Sequence, residues 1–169
     1  MKTRGFEIIS LEQWLNDFCA EGNSKQFATE IYNTLSLPIR STSNAAGCDL
    51  VSPISFELKP NDEIKIPTGL KAYMQENEML NIYPRSGQGF KFYIRLANTV
   101  GIGDDDYYAN EGNEGHYWVK IRNEGDKTFK IKKGERFAQV IFVPCLPPDE
   151  NTYVDEQKKR KGGLGHTGK

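Results

Sequence analysis

The chain has 169 residues, 22 lysines and arginines against 23 aspartates and glutamates, and 37% hydrophobic residues, a length and balance that fit one folded domain. Its net charge of −1 supplies no general field to draw in nucleic acid or an anionic membrane, and no apolar run nears the roughly 18 residues of a membrane span. Residues 1–9 read as a short strand carried by Phe6, Ile8 and Ile9. Leu11, Trp14, Leu15 and Phe18 then recur at helical spacing, with Ser10 and Gln13 spaced as a capping box and Gly22 as the stop. A second helix is predicted from about Lys25 to Leu35, capped by Asn23 with Gln26, and both helices are expected to cover a sheet face. From Leu50 onward the period becomes two. Phe56 and Leu58 precede the turn Pro60-Asn61-Asp62 and Ile64 and Ile66 follow it, and Leu80 with Ile82 marks another strand. The run Phe90 to Leu96 alternates and predicts a longer strand. Tyr117, Val119 and Ile121 are predicted to pair with Phe129 and Ile131 across the turn at 123–126, and Gln139 to Val143 forms the last strand. Many short strands between turn signals argue for a barrel or sandwich.

Cys19, Cys48 and Cys145 are odd in number and scattered, which argues against a disulfide framework and for a cytoplasmic setting. No CxxC or HExxH occurs, which excludes a structural zinc site or a zincin. The polar residues that interrupt the β pattern carry the chemistry. Gly47-Cys48-Asp49-Leu50 sets an acid between apolar neighbours. Pro84-Arg85-Ser86-Gly87 offers a guanidinium, a hydroxyl and free backbone N–H groups close together, which suits an anion but is also what a solvated turn would look like. Asn98 to Tyr107 resembles a hairpin tip followed by three consecutive acids, and Gln139 is the polar residue of an otherwise buried strand. Gly163 to Lys169 matches G-x-x-x-x-G-K but lacks the strand before and the helix after it that a phosphate-binding loop requires, so that reading is rejected.

Taken together, Ala46 to Leu50, Pro84 to Gly87, Asn98 to Tyr107, Gly134 to Gln139 and the Gly-rich tail stand in the order of the five motifs of trimeric dUTPases. The chain resembles that family over about residues 38–169, and the insertion at 110–115 resembles its Gram-positive bacterial and phage members. The resemblance implies an all-β, jelly-roll-like domain over 1–155 with a helical insertion at about 10–37, a flexible tail at 156–169 closing over the active site, and a homotrimer with sites built from all three chains. It implies Mg²⁺-dependent cleavage of dUTP to dUMP and pyrophosphate. On this resemblance Asp104 holds and activates the water, and Asp49 supports Mg²⁺ through bound water. Arg85, Ser86, Gly87 and Gln139 bind phosphates. Asn98, with the adjoining backbone at Gly101, reads uracil, and Tyr107 packs under the deoxyribose and excludes a 2′-hydroxyl. Arg160 clamps the γ-phosphate, while Leu164 and Gly165 meet the base. Two positions depart from the family: Gly103 replaces an aliphatic residue and is expected to loosen Asp104, and Leu164 replaces a phenylalanine. A dCTP deaminase would need an acid that the stretch His116 to Ile121 lacks. The other alternative is a weakly active dUTP-binding regulator that meets a repressor-type protein through the added helices, with Trp14 and Phe18, and the insertion around Asn113. No membrane or direct nucleic-acid partner is expected.

Overall fold

A computed structural model gives the architecture and describes residues 2–149 and 162–163. Strand β1 (Gly5–Ile8) leads into helices α1 (Leu11–Ala20) and α2 (Lys25–Tyr32). Strands β2 (Cys48–Val51), β3 (Phe56–Leu58), β4 (Glu63–Pro67), β5 (Leu70–Tyr73) and β6 (Glu78–Pro84) follow. A short helix α3 (Ser86–Phe92) separates β6 from β7 (Ile94–Leu96) and β8 (Gly101–Asp104), and β9 (Trp118–Asn123), β10 (Phe129–Ile131) and β11 (Arg136–Pro144) complete the domain. The strands form antiparallel sheets in the orders β2-β11-β6-β8, β4-β9-β7, β1-β5 and β10-β3. This is the expected all-β, jelly-roll-like fold. Leu50, Ile66, Leu80, Ile121 and Phe137, one from each of several strands, are buried in its core. No helix among the described residues is long and apolar enough to cross a membrane.

Ser10 caps α1 as expected, its Oγ accepting from the Gln13 amide at 3.0 Å. The reciprocal half of the cap does not come from Gln13, however. Glu114, 104 residues on, accepts from the Ser10 amide at 3.1 Å and from its hydroxyl. Helix α2 is capped by Ser24 and not by Asn23, whose side chain instead donates to the Phe18 carbonyl at the end of α1. The two helices form a second core with Ile9, Trp14, Phe18, Ala28 and Ile31, in which Trp14 is wholly buried and donates to the Ala28 carbonyl. Trp14 and Phe18 therefore present no surface to a partner.

Two β expectations are corrected. The run from Phe90 is not one strand: residues through Phe92 are helical, Tyr93 ends α3 in the left-handed region (φ 53°, ψ 35°), and only Ile94–Leu96 is extended. One continuous strand would bury Phe90 beside Phe92 and Ile94, whereas Phe90 is 87% exposed. Nor do β9 and β10 pair across their turn. β9 pairs with β4 and β7, and β10 pairs with β3. The cause is Asn123, fully buried, whose amide nitrogen donates to the Leu58 and Lys127 carbonyls and whose oxygen accepts from Gly125. These bonds satisfy the turn locally and carry the chain into a different sheet.

Candidate active site

The expected site residues fall into two groups, one at the Pro84 end of β6 and one along β8, whose Asp104 lies toward the other end. At the Pro84 end, register sets Gln139 on β11 beside Asp49 on β2 and Tyr83 on β6. Asp49 accepts from Arg85 Nε at 2.8 Å through one carboxylate oxygen, and from Ser41 Oγ at 2.6 Å and Arg136 Nη1 at 3.2 Å through the other. Burial works to raise the Asp49 carboxyl, but the Ser41 hydrogen bond and the two guanidinium charges outweigh it and hold the group below the usual carboxylate range. Gln139 Nε2 donates to the Pro84 carbonyl at 3.0 Å, and buried Gln88 donates to the Arg136 carbonyl at 2.9 Å. Arg85 stands at the N-terminus of α3, with Ser86 and Gly87 exposed in its first turn. Two guanidiniums against one carboxylate leave this end with an excess positive charge next to exposed donors, an arrangement that attracts an anion. Arg136, Ser41 and Gln88 were not singled out from the sequence. Arg136 was legible as a charge entering β11, but its distance of 87 residues from Asp49 hid the pairing.

At the other end, Asp104 closes β8 opposite Met79, five residues before Pro84 on β6. With about 3.3 Å per residue, roughly 16 Å of strand separates Asp104 from Pro84, while Gly101 stands opposite Ile82, much nearer that end. Asn98, Gly101, Asp104, Tyr107 and Gly163 line one cleft of about 90 Å³. The turn before it does not join paired strands, because β7 and β8 belong to different sheets. It is closed by Thr99 N–H on the Leu96 carbonyl and Val100 N–H on the Asn98 carbonyl. Tyr107 is buried. Its hydroxyl donates to the His116 carbonyl at 2.9 Å and accepts from Asn113 Nδ2 at 2.7 Å, so the insertion fixes the ring from behind.

That insertion is tied in turn to the N-terminal helices. Glu114 holds Ser10 and Lys71, the latter at 3.2 Å, and these hydrogen bonds outweigh burial to keep its carboxyl below the usual range. The hydrogen bond to Glu7 pushes the Tyr108 hydroxyl up to about 12. His116, wholly buried, accepts from the Gly69 amide at Nε2 and so carries its proton on Nδ1, 2.5 Å from Asp17 of α1. The role of His116 is that of a buried tie between α1 and the turn at Gly69.

Gly163 lies on Tyr107: a β-carbon there would come within 2.6 Å of its hydroxyl. Gly163 therefore meets the residues after the acidic turn within one chain. Arg160, Leu164 and Gly165 lie outside the described residues. Gly103 does not leave the gap expected of it, since Tyr117 occupies the space beneath it.

For Mg²⁺ the donor set is informative. No group of three or more metal-binding side chains occurs among the described residues, and both Asp49 oxygens already accept from charged or hydroxyl donors. These residues fit an ion carried by a polyphosphate, with Asp49 reaching at most its bound water, and do not fit a resident, directly ligated ion.

A model of the dUTPase family matches residues 33–168. The deoxyuridine 5'-triphosphate nucleotidohydrolase of Lactococcus lactis subsp. lactis is 38% identical over 169 residues, covering 99% of each chain, so the similarity runs through the N-terminal helices that the family model does not span. The crystal structure of dUTPase from Streptococcus mutans matches with a TM-score of 0.64 at 35% identity, covering 86% of this chain and 99% of that one. A variant dUTPase from phage phi11 of S. aureus, whose structure is described as revealing the coordination of a structural Mg(II) ion, shares the fold with a TM-score of 0.62 at 17% identity, over 93% of this chain and 100% of that one.

Proposed function

The chain belongs to the dUTPase family and hydrolyses dUTP to dUMP and pyrophosphate, and from that premise we propose how its residues divide the work. Asp104 accepts a hydrogen bond from the attacking water and takes its proton as the water oxygen bonds to the α-phosphorus and the bond to the pyrophosphate oxygen breaks. Arg85, Ser86, Gly87 and Gln139 hold the phosphates, with Asp49 and Ser41 fixing the guanidiniums of Arg85 and Arg136 in advance. Asn98 and the backbone at Gly101 read the uracil edge, and the buried Tyr107 ring leaves no room for a 2′-hydroxyl. Arg160 with Leu164 and Gly165 would complete the closure over the γ-phosphate and base. When bound, Mg²⁺ would neutralise charge on the triphosphate; Asp49 reaches it only through its water. The cytoplasm is the proposed compartment, in keeping with three free cysteines.

We propose further that the working unit is a homotrimer. The observation that carries this is the separation along β6. Asp104 acts at the α-phosphorus, and about 16 Å of strand lies between it and the Pro84 end that carries Arg85, a separation that favours the phosphate group of one copy serving the nucleoside cleft of another. One fact supports it. Phe90, Tyr93 and Ile102, 87%, 57% and 63% exposed, lie beside the two groups and are of the kind that a second copy would cover. A repressor-type partner bound through Trp14 and Phe18 is not supported, because both are buried in the second core.

The test is pyrophosphate release from dUTP with Mg²⁺, beside UTP, dCTP and dTTP. The expected outcome is release from dUTP, with Asp104→Asn lowering kcat by about 10²–10⁴-fold and leaving the fold intact. Full activity in that variant would remove Asp104 from its role.

A further inference from the structure

Asp104 and Tyr107 share a support that their own strand does not provide. Gly103 precedes Asp104 in β8 and faces the interior, and a β-carbon built on it would lie 2.5 Å from Cε1 and 2.6 Å from Cζ of Tyr117. The same ring meets Tyr107 edge to face, with centroids 5.1 Å apart and planes at 75°. Tyr117 is 7% exposed. Its root is also fixed: its amide donates to the Leu70 carbonyl at 2.9 Å, and its carbonyl accepts from the Thr68 amide at 3.1 Å and the Thr68 hydroxyl at 2.7 Å. The preceding residue, His116, is pinned between Asp17 and Gly69. The backbone that carries the ring is therefore fixed, and the buried ring fills the volume that a side chain at 103 would otherwise take.

We propose that Tyr117 is a positioning residue for the reaction: from beneath β8 its ring sets the water-holding Asp104 and the sugar-excluding Tyr107 relative to each other. Gly103 is then the partner that this ring demands, and not a weakness in the strand. The physical sign is unusual. In a strand, glycine is ordinarily the costly residue, by roughly 0.5–1 kcal/mol against alanine. Here adding a side chain at 103 removes the support, because ring and β-carbon compete for one space. Losing the ring without replacing it leaves a cavity under both groups, and misplacement by about 1 Å is enough to cost of order 100-fold in rate.

The proposal rests on the roles given to Asp104 and Tyr107 above, and one set of variants separates the two. The parent and Asp104→Asn come first: if the parent releases pyrophosphate from dUTP and Asp104→Asn does not, the roles stand whatever follows. Gly103→Val and Tyr117→Val are then assayed singly and together for kcat, for the dUTP:UTP ratio of kcat/KM, and for Tm. Each single variant is expected to lose about 100-fold in kcat. Tyr117→Val is also expected to lower the dUTP:UTP ratio, which a loss of folded protein alone would leave unchanged. In the Tyr117→Val background, Gly103→Val is expected to raise kcat, reversing its own sign, and to bring the double variant to within about tenfold of the parent. Gly103→Ala makes the same clash at smaller size and serves if the valine variant does not fold. The proposal is overturned if Tyr117→Val keeps the parent's kcat and dUTP:UTP ratio, if its loss follows Tm with the ratio unchanged, or if the effect of a side chain at 103 has the same sign in both backgrounds.

Discussion

The two ends of β6 are built on different physical terms. At the Pro84 end the parts are held by charge: Asp49 gathers Arg85 and Arg136, and Ser41 completes its hydrogen bonding. At the Asp104 end they are held by volume and neutral hydrogen bonds: Tyr117 lies beneath Gly103 and against Tyr107, and Asn113 and the His116 carbonyl fix the Tyr107 hydroxyl. The difference matches what each end is proposed to recognise. Phosphates are anions, and a guanidinium held in place before the ligand arrives needs little reorganisation to neutralise them. Uracil and deoxyribose are neutral, and a missing hydroxyl can be read only by a surface that does not yield. Charge tolerates small displacements better than shape does, which is why the nucleoside end carries the extra ties to the insertion and, through Glu114 and His116, to α1.

The charged end breaks most sharply at Asp49. Asp49→Ala leaves Arg85 and Arg136 without their shared counterion, and turnover of dUTP is expected to fall by about 100-fold as Arg85 loses its fixed place. The dUTP:UTP ratio is expected to stay near the parent value, since Tyr107 belongs to the other end. Measured kcat/KM for both nucleotides checks this, and a lost ratio would mean that the two ends are not separable.

A smaller effect is expected at Glu114, where the nucleoside end is tied to the helices. Glu114→Gln is expected to leave turnover within about twofold while lowering Tm at pH 7 by a few degrees, as one charge-assisted capping interaction is weakened. The pH dependence has a defined sign. The Glu114 carboxyl is held below its ordinary value of 4.5, so its contribution is complete above that pH and disappears as pH falls through the lower folded-state value. The Tm difference between parent and variant should therefore shrink below about pH 4.5, as thermal unfolding from pH 7 down to 3 would record. A difference that persists unchanged at pH 3 would take the effect away from this carboxylate.

Much of this was legible in the residues themselves. The alternation at Leu80 and Ile82, the apolar run before Pro144 and the Ser10 cap are local signals, and each element formed where its period put it. Pairing is not local. Asn123 reads as an ordinary turn residue, yet by satisfying its own turn it sends β10 to β3, and no pattern within either strand announces that. Phe90 and Phe92 alternate as a strand would, yet the chain stays helical through Phe92, whose ring packs on Phe129 while Phe90 is left exposed. The proposed site residues are named by the order of their motifs, while the contacts that support them are not. Arg136 on Asp49, Asn113 on Tyr107 and Tyr117 under Gly103 are contacts between distant or differently shaped partners. Gly103 alone reads as a loss; only beside Tyr117 does it read as a fit.

The central claim is that the two ends of β6 serve one nucleotide only across copies of the chain. Co-expression of Asp104→Asn with Arg85→Ala tests it directly. Each variant alone is expected to be nearly inactive, whereas the co-expressed pool should recover about a quarter of the parent's dUTP turnover, since about one site in three of every mixed trimer draws an intact half from each variant in a symmetric assembly. Mixed trimers with no activity beyond the sum of the two variants would contradict the account and return both halves of the site to a single chain.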